Sequence, residues 1–181
     1  MSAVAGRVIL GIDPGTASTG FGVICVEGNR LHTIEFGVID TSSASAPETR
    51  LEQIFDGVRE VVRRHQPEAT AIESLFFNVN VQSALAVGQA RGVCMLACSQ
   101  SGCRVFEYTP LQVKQAVAGY GRADKKQVME MVRALLGLAE PPRPDHAADA
   151  LAVAICHSNS STMLDRVARS EAAAAARRRS T

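Results

Sequence analysis

The sequence predicts an α/β fold, a mixed five-stranded sheet with helices on both faces, and three observations predict it. Val8, Ile9, Leu10 and Ile12 form a nearly continuous apolar run that stops at Asp13-Pro14-Gly15, the pattern of a buried strand entering a tight turn. Two further strand-like stretches, residues 19–27 and 31–40, are separated only by Gly28, Asn29 and Arg30. Gly28-Asn29 suits a hairpin turn, so the first three strands form an antiparallel meander. From Pro47 onward, segments of helical period alternate with short apolar runs, which lays the later strands parallel to the first.

The elements follow in order. Leu51, Ile54, Phe55, Val58, Val61 and Val62 recur at helical spacing, with Pro47 in or near the first turn and an end near Gln66-Pro67. Ala69 to Glu73 is a short strand after a helix. Residues 81–101 read as a long helix with Ala84, Gly88 and Gly92 four apart. Glycine inside a helix costs about 0.8–1 kcal/mol relative to alanine. Two of them on one stripe imply that another helix approaches closely, from within the domain or from a second subunit. Arg104 to Tyr108 is the fifth strand, Thr109-Pro110 opens a short helix, and Gly119 to Arg122 is a basic loop. Asp124 with Gln127 looks like a capping box for a helix with apolar residues Val128, Met131, Val132, Leu135 and Leu136. After Pro141, Pro142 and Pro144 a last helix is expected over residues 147–156, begun by Asp145 as its N-cap.

Composition excludes several classes. A chain of 181 residues fits one domain with a real core. Five cysteines, an odd number without a Cys-x-x-Cys pair, argue against a zinc site and for a reducing compartment, so a cytoplasmic location is expected. No apolar run reaches the length of a membrane span and no charged stretch followed by an apolar one stands at the start of the sequence, so neither membrane spanning nor secretion is expected. The net charge of +1 hides an asymmetry: residues 27–73 carry nine acids and five bases, residues 85–133 seven bases and three acids. Scattered bases are commonly a solvated face, and the alternative is a surface for a polyanion.

One constellation carries chemistry. Asp13 ends the first strand, where an ionised carboxylate is expensive without a cation or hydrogen-bond donors. The ordinary alternative is a turn former in Asp-Pro-Gly. Glu73 ends the fourth strand. If the first and fourth strands are parallel neighbours about 4.8 Å apart, the two carboxylates lie side by side. His146 and Asp149, three apart at the start of the last helix, could close the group. Three carboxylates in one pocket raise each other's pKa values, and a divalent metal is the natural counter-charge, Mg²⁺ or Mn²⁺ for an oxygen-rich site. Two such ions could straddle a phosphodiester.

Four stretches in order, IDPGTASTGFG, ATAIES followed by FFNVN and GQARG, TPLQVKQAVAGYGRADKKQV, and HAADALAVAICH, together resemble the RuvC family of Holliday-junction resolvases, whose fold is ribonuclease H-like. The resemblance covers roughly residues 7–157. It implies a homodimer that nicks two strands of a four-way DNA junction symmetrically, leaving 5′-phosphate and 3′-hydroxyl ends, with two Mg²⁺ per active site (Mn²⁺ as the alternative) and RuvA and RuvB as branch-migration partners. On this reading residues 1–160 are the nuclease domain and residues 161–181 an Ala/Arg-rich flexible tail. Asp13, Glu73 and Asp149 match the family's metal-binding carboxylates, and His146 falls where members carry Asp or His, which leaves the preference between the two metals open. Lys114 and Lys125 match bases near the scissile phosphate, which makes Lys125 a member of the catalytic set. Phe76 matches an aromatic that stacks on a base at the crossover, with Phe77 beside it, and Arg122 and Lys126 are expected backbone contacts.

Other classes compete less well. Asp-x-Gly-Thr also resembles the first phosphate loop of actin-like ATPases, but this chain has no second phosphate loop. A non-catalytic junction-binding protein would show a broken acidic set. A relative of the same fold that cuts another nucleic-acid structure would be separated by its substrates.

Overall fold

The computed structural model describes residues 6–74 and 81–161, and of residues 81–83 the backbone alone. Five strands, β1 (Arg7–Asp13), β2 (Ser18–Glu27), β3 (Arg30–Asp40), β4 (Ala69–Glu73) and β5 (Arg104–Tyr108), form one sheet of order β3-β2-β1-β4-β5. β1 to β3 are the antiparallel meander, whereas β4 runs parallel to β1 and β5 parallel to β4. Gly28 makes the hairpin turn with a φ of 62°, a backbone conformation that favours glycine.

Side chains alternate along β1, so the sheet has two cores. Leu10 and Ile12 face α1 (Pro47–His65) and α2 (Val81–Gln100), where Ile54, Val58, Ile72, Cys94 and Cys98 are buried. Ile9 faces the other side with Val113 of α3 (Pro110–Ala118), Val128 and Val132 of α4 (Lys125–Leu136), and Leu151 and Ile155. The last two belong to α5, helical from residue 145 to the last described residue, 161. Among the described residues no helix is long and apolar enough to cross a membrane.

Local signals explain most helix ends. Asp124 and Gln127 close the expected capping box on α4, and Thr109 with Gln112 forms a second on α3. Pro47 stands in the first turn of α1 without a side-chain cap. α5 departs from expectation. It is longer than 147–156, and Asp145 is its first helical residue rather than its N-cap, because the carbonyl of Pro144 accepts the first backbone bonds, from Ala147 and Ala148. That leaves the Asp145 side chain free for another partner.

α5 lies unusually close to the sheet. Residues 147–158 are buried except Asp149, which is half-buried, and Ala147, Ala148, Ala150, Ala152 and Ala154 keep that helix slim. The strands answer with glycine. A Cβ on Gly11 would stand 1.9 Å from the carbonyl oxygen of Ala150, and one on Gly20 would stand 2.0 Å from that of His146. No side chain fits at either place.

The stripe on α2 is open at Gly92. Among the described residues nothing lies within 4 Å of a Cβ placed on Gly92, so no described helix of the same chain approaches there. Leu85, Gly92 and Leu96 instead share an exposed face, with Leu85 66% and Leu96 50% exposed.

Farther down α5, His157 is buried against Phe106 with Nδ1 2.7 Å from the Tyr108 hydroxyl. Burial, with Arg7 adding to it, pushes its pKa down to about 4. A folded-state pKa below the unfolded value near 6.5 means that the unfolded chain binds the proton first, so stability falls as pH drops from 6.5 to 4. Over that window His157 is expected to cost up to about 3 kcal/mol. Urea unfolding at several pH values checks it: His157→Gln should have the shallower acid limb, and parallel limbs would exclude the effect.

Candidate active site at the carboxyl ends of β1 and β4

Asp13 is held by its surroundings. Beyond it the chain turns, and Thr19 Oγ1 donates to the Gly15 carbonyl at 2.7 Å. Arg50, on the first turn of α1, donates to the carbonyl of Thr16 at 2.7 Å and to Thr41 Oγ1 at 2.8 Å. Thr41 Oγ1 in turn donates to Thr16 O at 2.5 Å. These bonds pin the turn after Asp13 to both β3 and α1. Nothing in the sequence singles out Arg50, because its partners are carbonyl and hydroxyl oxygens that come together only in the fold.

Glu73 lies one register step beyond the Ile12–Ile72 pair of the parallel strands, so it stands beside Asp13. The chain leaving it is fixed by the Ser74 N–H, which donates to Tyr108 O at 2.8 Å. α5 brings His146 and Asp149 over the same strand ends. His146 Nδ1 donates to Asp13 Oδ2 at 2.6 Å.

The electrostatics follow from this crowding. Burial raises the Asp13 pKa against the opposing hydrogen bond from His146. Glu73 is pushed up to about 7, first by burial and then by the charges of Asp13 and Asp149, with Lys114 pulling the other way. Lys125 Nζ lies 3.3 Å from Asp149 Oδ2 and 3.0 Å from Asp145 Oδ2. Glu73, Lys114, Lys125 and Asp149 line a recess of about 250 Å³ floored by Val113, Val128 and Val153.

As the side chains stand, no three His, Cys, Asp or Glu groups among the described residues are gathered closely enough to hold a metal ion. In this arrangement His146 Nδ1 meets Asp13 and Lys125 Nζ meets Asp149. Three carboxylates and an imidazole on three elements are still a donor set that suits a hard divalent ion, and Glu73 is raised first by its burial and then by the neighbouring acids.

Of the other expected residues, Lys114 reaches the recess, whereas Arg122 and Lys126 are exposed on the α3–α4 connection and the first turn of α4. Phe76, Phe77 and residues 162–181 lie outside the described residues.

A sheet of this order, with acids on neighbouring ends of its two central parallel strands and a helix closing over them, is the architecture of the ribonuclease H-like class. Comparison with known proteins narrows the class. The family model for crossover junction endodeoxyribonuclease RuvC matches residues 9–157. The RuvC of Rubrobacter xylanophilus is 59% identical over 157 residues, 87% of this chain and 88% of that protein. The RuvC of Pelotomaculum thermopropionicum is 55% identical over 152 residues, 84% of this chain and 93% of that protein. The structure of Thermus thermophilus RuvC in complex with a Holliday junction substrate superposes with a TM-score of 0.83 at 42% identity, covering 87% of this chain and 96% of that one. The chain belongs to the RuvC family of crossover junction endodeoxyribonucleases.

Proposed function

We propose that this chain resolves four-way DNA junctions by divalent-metal-dependent hydrolysis of two phosphodiesters. The observation that carries the reading is the gathering of Asp13 and Glu73 on adjacent strand ends, with His146 of α5 in contact with Asp13 and Asp149 lining one recess with Glu73. Asp13, Glu73 and Asp149, with His146, would hold two Mg²⁺, or Mn²⁺ in their place. When bound, such ions activate water for attack and neutralise charge on the leaving oxygen, giving 5′-phosphate and 3′-hydroxyl ends.

The chain's own residues supply the rest. Lys114 and Lys125 border the recess and would stabilise charge on the scissile phosphate. Arg122 and Lys126 would contact the DNA backbone and position it without reading sequence. Phe76, with Phe77 beside it, would stack at the crossover, where unpaired bases offer a face. Symmetric nicks require two active sites, and the exposed stripe of Leu85, Gly92 and Leu96 on α2 suits a second copy of this chain. Leu96→Glu is therefore expected to shift the protein to monomer in analytical ultracentrifugation and to uncouple the two nicks. An unchanged dimer would place the interface elsewhere. RuvA and RuvB are proposed partners, and the cytoplasm the proposed location, in line with five free thiols.

A metal ion needs the Glu73 carboxylate, so binding expels its proton. Calorimetry of Mn²⁺ binding in two buffers of different ionisation enthalpy should show about half a proton released at pH 7, nearly one at pH 6 and almost none by pH 9. Glu73→Gln should remove the release. A release independent of pH would detach Glu73 from the site.

A cleavage assay tests the function: a mobile four-way junction, a linear duplex and an RNA–DNA hybrid, each with Mg²⁺ or Mn²⁺. Paired nicks in the junction alone are expected. Cleavage of the hybrid alone would leave the fold and overturn the substrate.

A further inference from the structure

We propose that Asp145 is a positioning residue, a second anchor that keeps Lys125 at the active site when a divalent cation takes Asp149. The inference rests on the reading of Asp149 as a metal ligand.

Lys125 is the first residue of α4, and its backbone is fixed by the capping box, in which Gln127 N donates to Asp124 Oδ1 at 2.8 Å and Asp124 N donates to Gln127 Oε1 at 2.9 Å. Only its side chain is free to move. Asp145 and Asp149 are four apart on α5 and so share a face, which lets one ammonium with three donors touch both. The contact to Asp145 is the shorter, 3.0 Å against 3.3 Å.

The two acids differ in what surrounds them. Asp149 is the more enclosed, with its side chain 34% exposed against 53% for Asp145. Asp149 lines the recess together with Glu73, whereas Asp145 does not. Asp149 therefore belongs to the acid group and Asp145 stands outside it.

A divalent ion on Asp149 repels an ammonium twice as strongly as a single charge at the same distance. Lys125 must then give up Asp149. With Asp145 one helical turn away, the ammonium moves a few ångströms at most and stays beside the recess. Without Asp145, it either competes with the ion for Asp149 or swings into solvent. The simpler account of Asp145, an acid favoured by the N-terminal helix dipole, involves no coupling to Lys125.

A double-mutant cycle read by Mn²⁺ binding to the full chain separates the two accounts. Asp145→Asn should weaken Mn²⁺ binding about two- to five-fold, the size an exposed ion pair supports. Lys125→Gln should tighten it, and Asp145→Asn in that background should have little effect. Asp145→Glu should restore binding. Equal weakening in both backgrounds, or none in either, would overturn the proposal. A second measurement needs no metal: relaxation of the labelled Lys125 Cε carbon, assigned by its loss in Lys125→Gln. In Asp149→Asn the side chain should stay ordered, and adding Asp145→Asn should make it as mobile as a solvent lysine. Equal mobility in the two would overturn the anchor. If the unmodified chain takes up no Mn²⁺ that Asp13→Asn abolishes, the metal reading of the site falls, and the order of Lys125 still decides the anchor.

Discussion

Asp13→Asn is expected to reduce junction cleavage by a factor on the order of 10³ or more while leaving junction affinity within a few-fold of the unsubstituted chain. Asp13 is central to the site in three ways: it stands beside Glu73, it accepts the hydrogen bond of His146, and it sits on a turn pinned by Thr19, Thr41 and Arg50. Asparagine keeps the shape and removes the charge. The turn bonds run to Thr16 and Gly15 carbonyls rather than to the Asp13 side chain, so the fold should persist. Removing an acid also lowers the pKa of Glu73, because the Asp13 charge is one of its causes. Single-turnover cleavage and gel-shift affinity on one junction measure the two effects separately. Retained cleavage would take Asp13 out of the chemistry, and a parallel loss of binding and thermal stability would make its role structural.

Gly20→Val should disrupt both stability and activity, although residue 20 carries no chemistry. Gly20 pairs with Asp13 across β1 and β2, and a Cβ there would lie 2.0 Å from the His146 carbonyl oxygen. The obstructing atom is backbone, so no rotamer change relieves it, and α5 must move off the sheet. Overpacking costs about 1–3 kcal/mol where side chains can adjust, so about 3 kcal/mol or more is expected here. For a chain of this size that lowers Tm by roughly 10 °C. The displaced segment carries His146 and Asp149, and a shift near 1 Å in such groups costs about 10²-fold in rate. Thermal melts and cleavage rates check both. A variant with native Tm and native rate would show that α5 does not depend on the glycine contact.

Much of this architecture was legible because its signals are local. The meander follows from the Gly28-Asn29 turn between two strand-like stretches, and α4 begins where its Asp124–Gln127 capping box puts it. The approach of β4 to β1 follows from a short apolar strand after an amphipathic helix. That order of elements was sufficient to bring Asp13 and Glu73 to adjacent strand ends.

Contacts between elements distant in sequence were not legible. Gly11 and Gly20 read as strand glycines without special meaning, and Ala147 to Ala154 as an ordinary helix. Their common role, a backbone-to-backbone approach, exists only once α5 crosses the sheet. Arg50 and Thr16 are 34 residues apart, and Lys125 and Asp149 are 24 apart. No periodicity or propensity encodes such pairings.

The sequence by itself thus determined the elements, their order and the acids that end the central strands, since strand, turn and cap preferences depend on neighbours within a few residues. Tertiary structure alone decided that His146 binds Asp13, that Lys125 lies between Asp145 and Asp149, and that burial and neighbouring acids push the Glu73 pKa up to about 7. Those properties depend on distance and burial, which arise only when separate elements pack together.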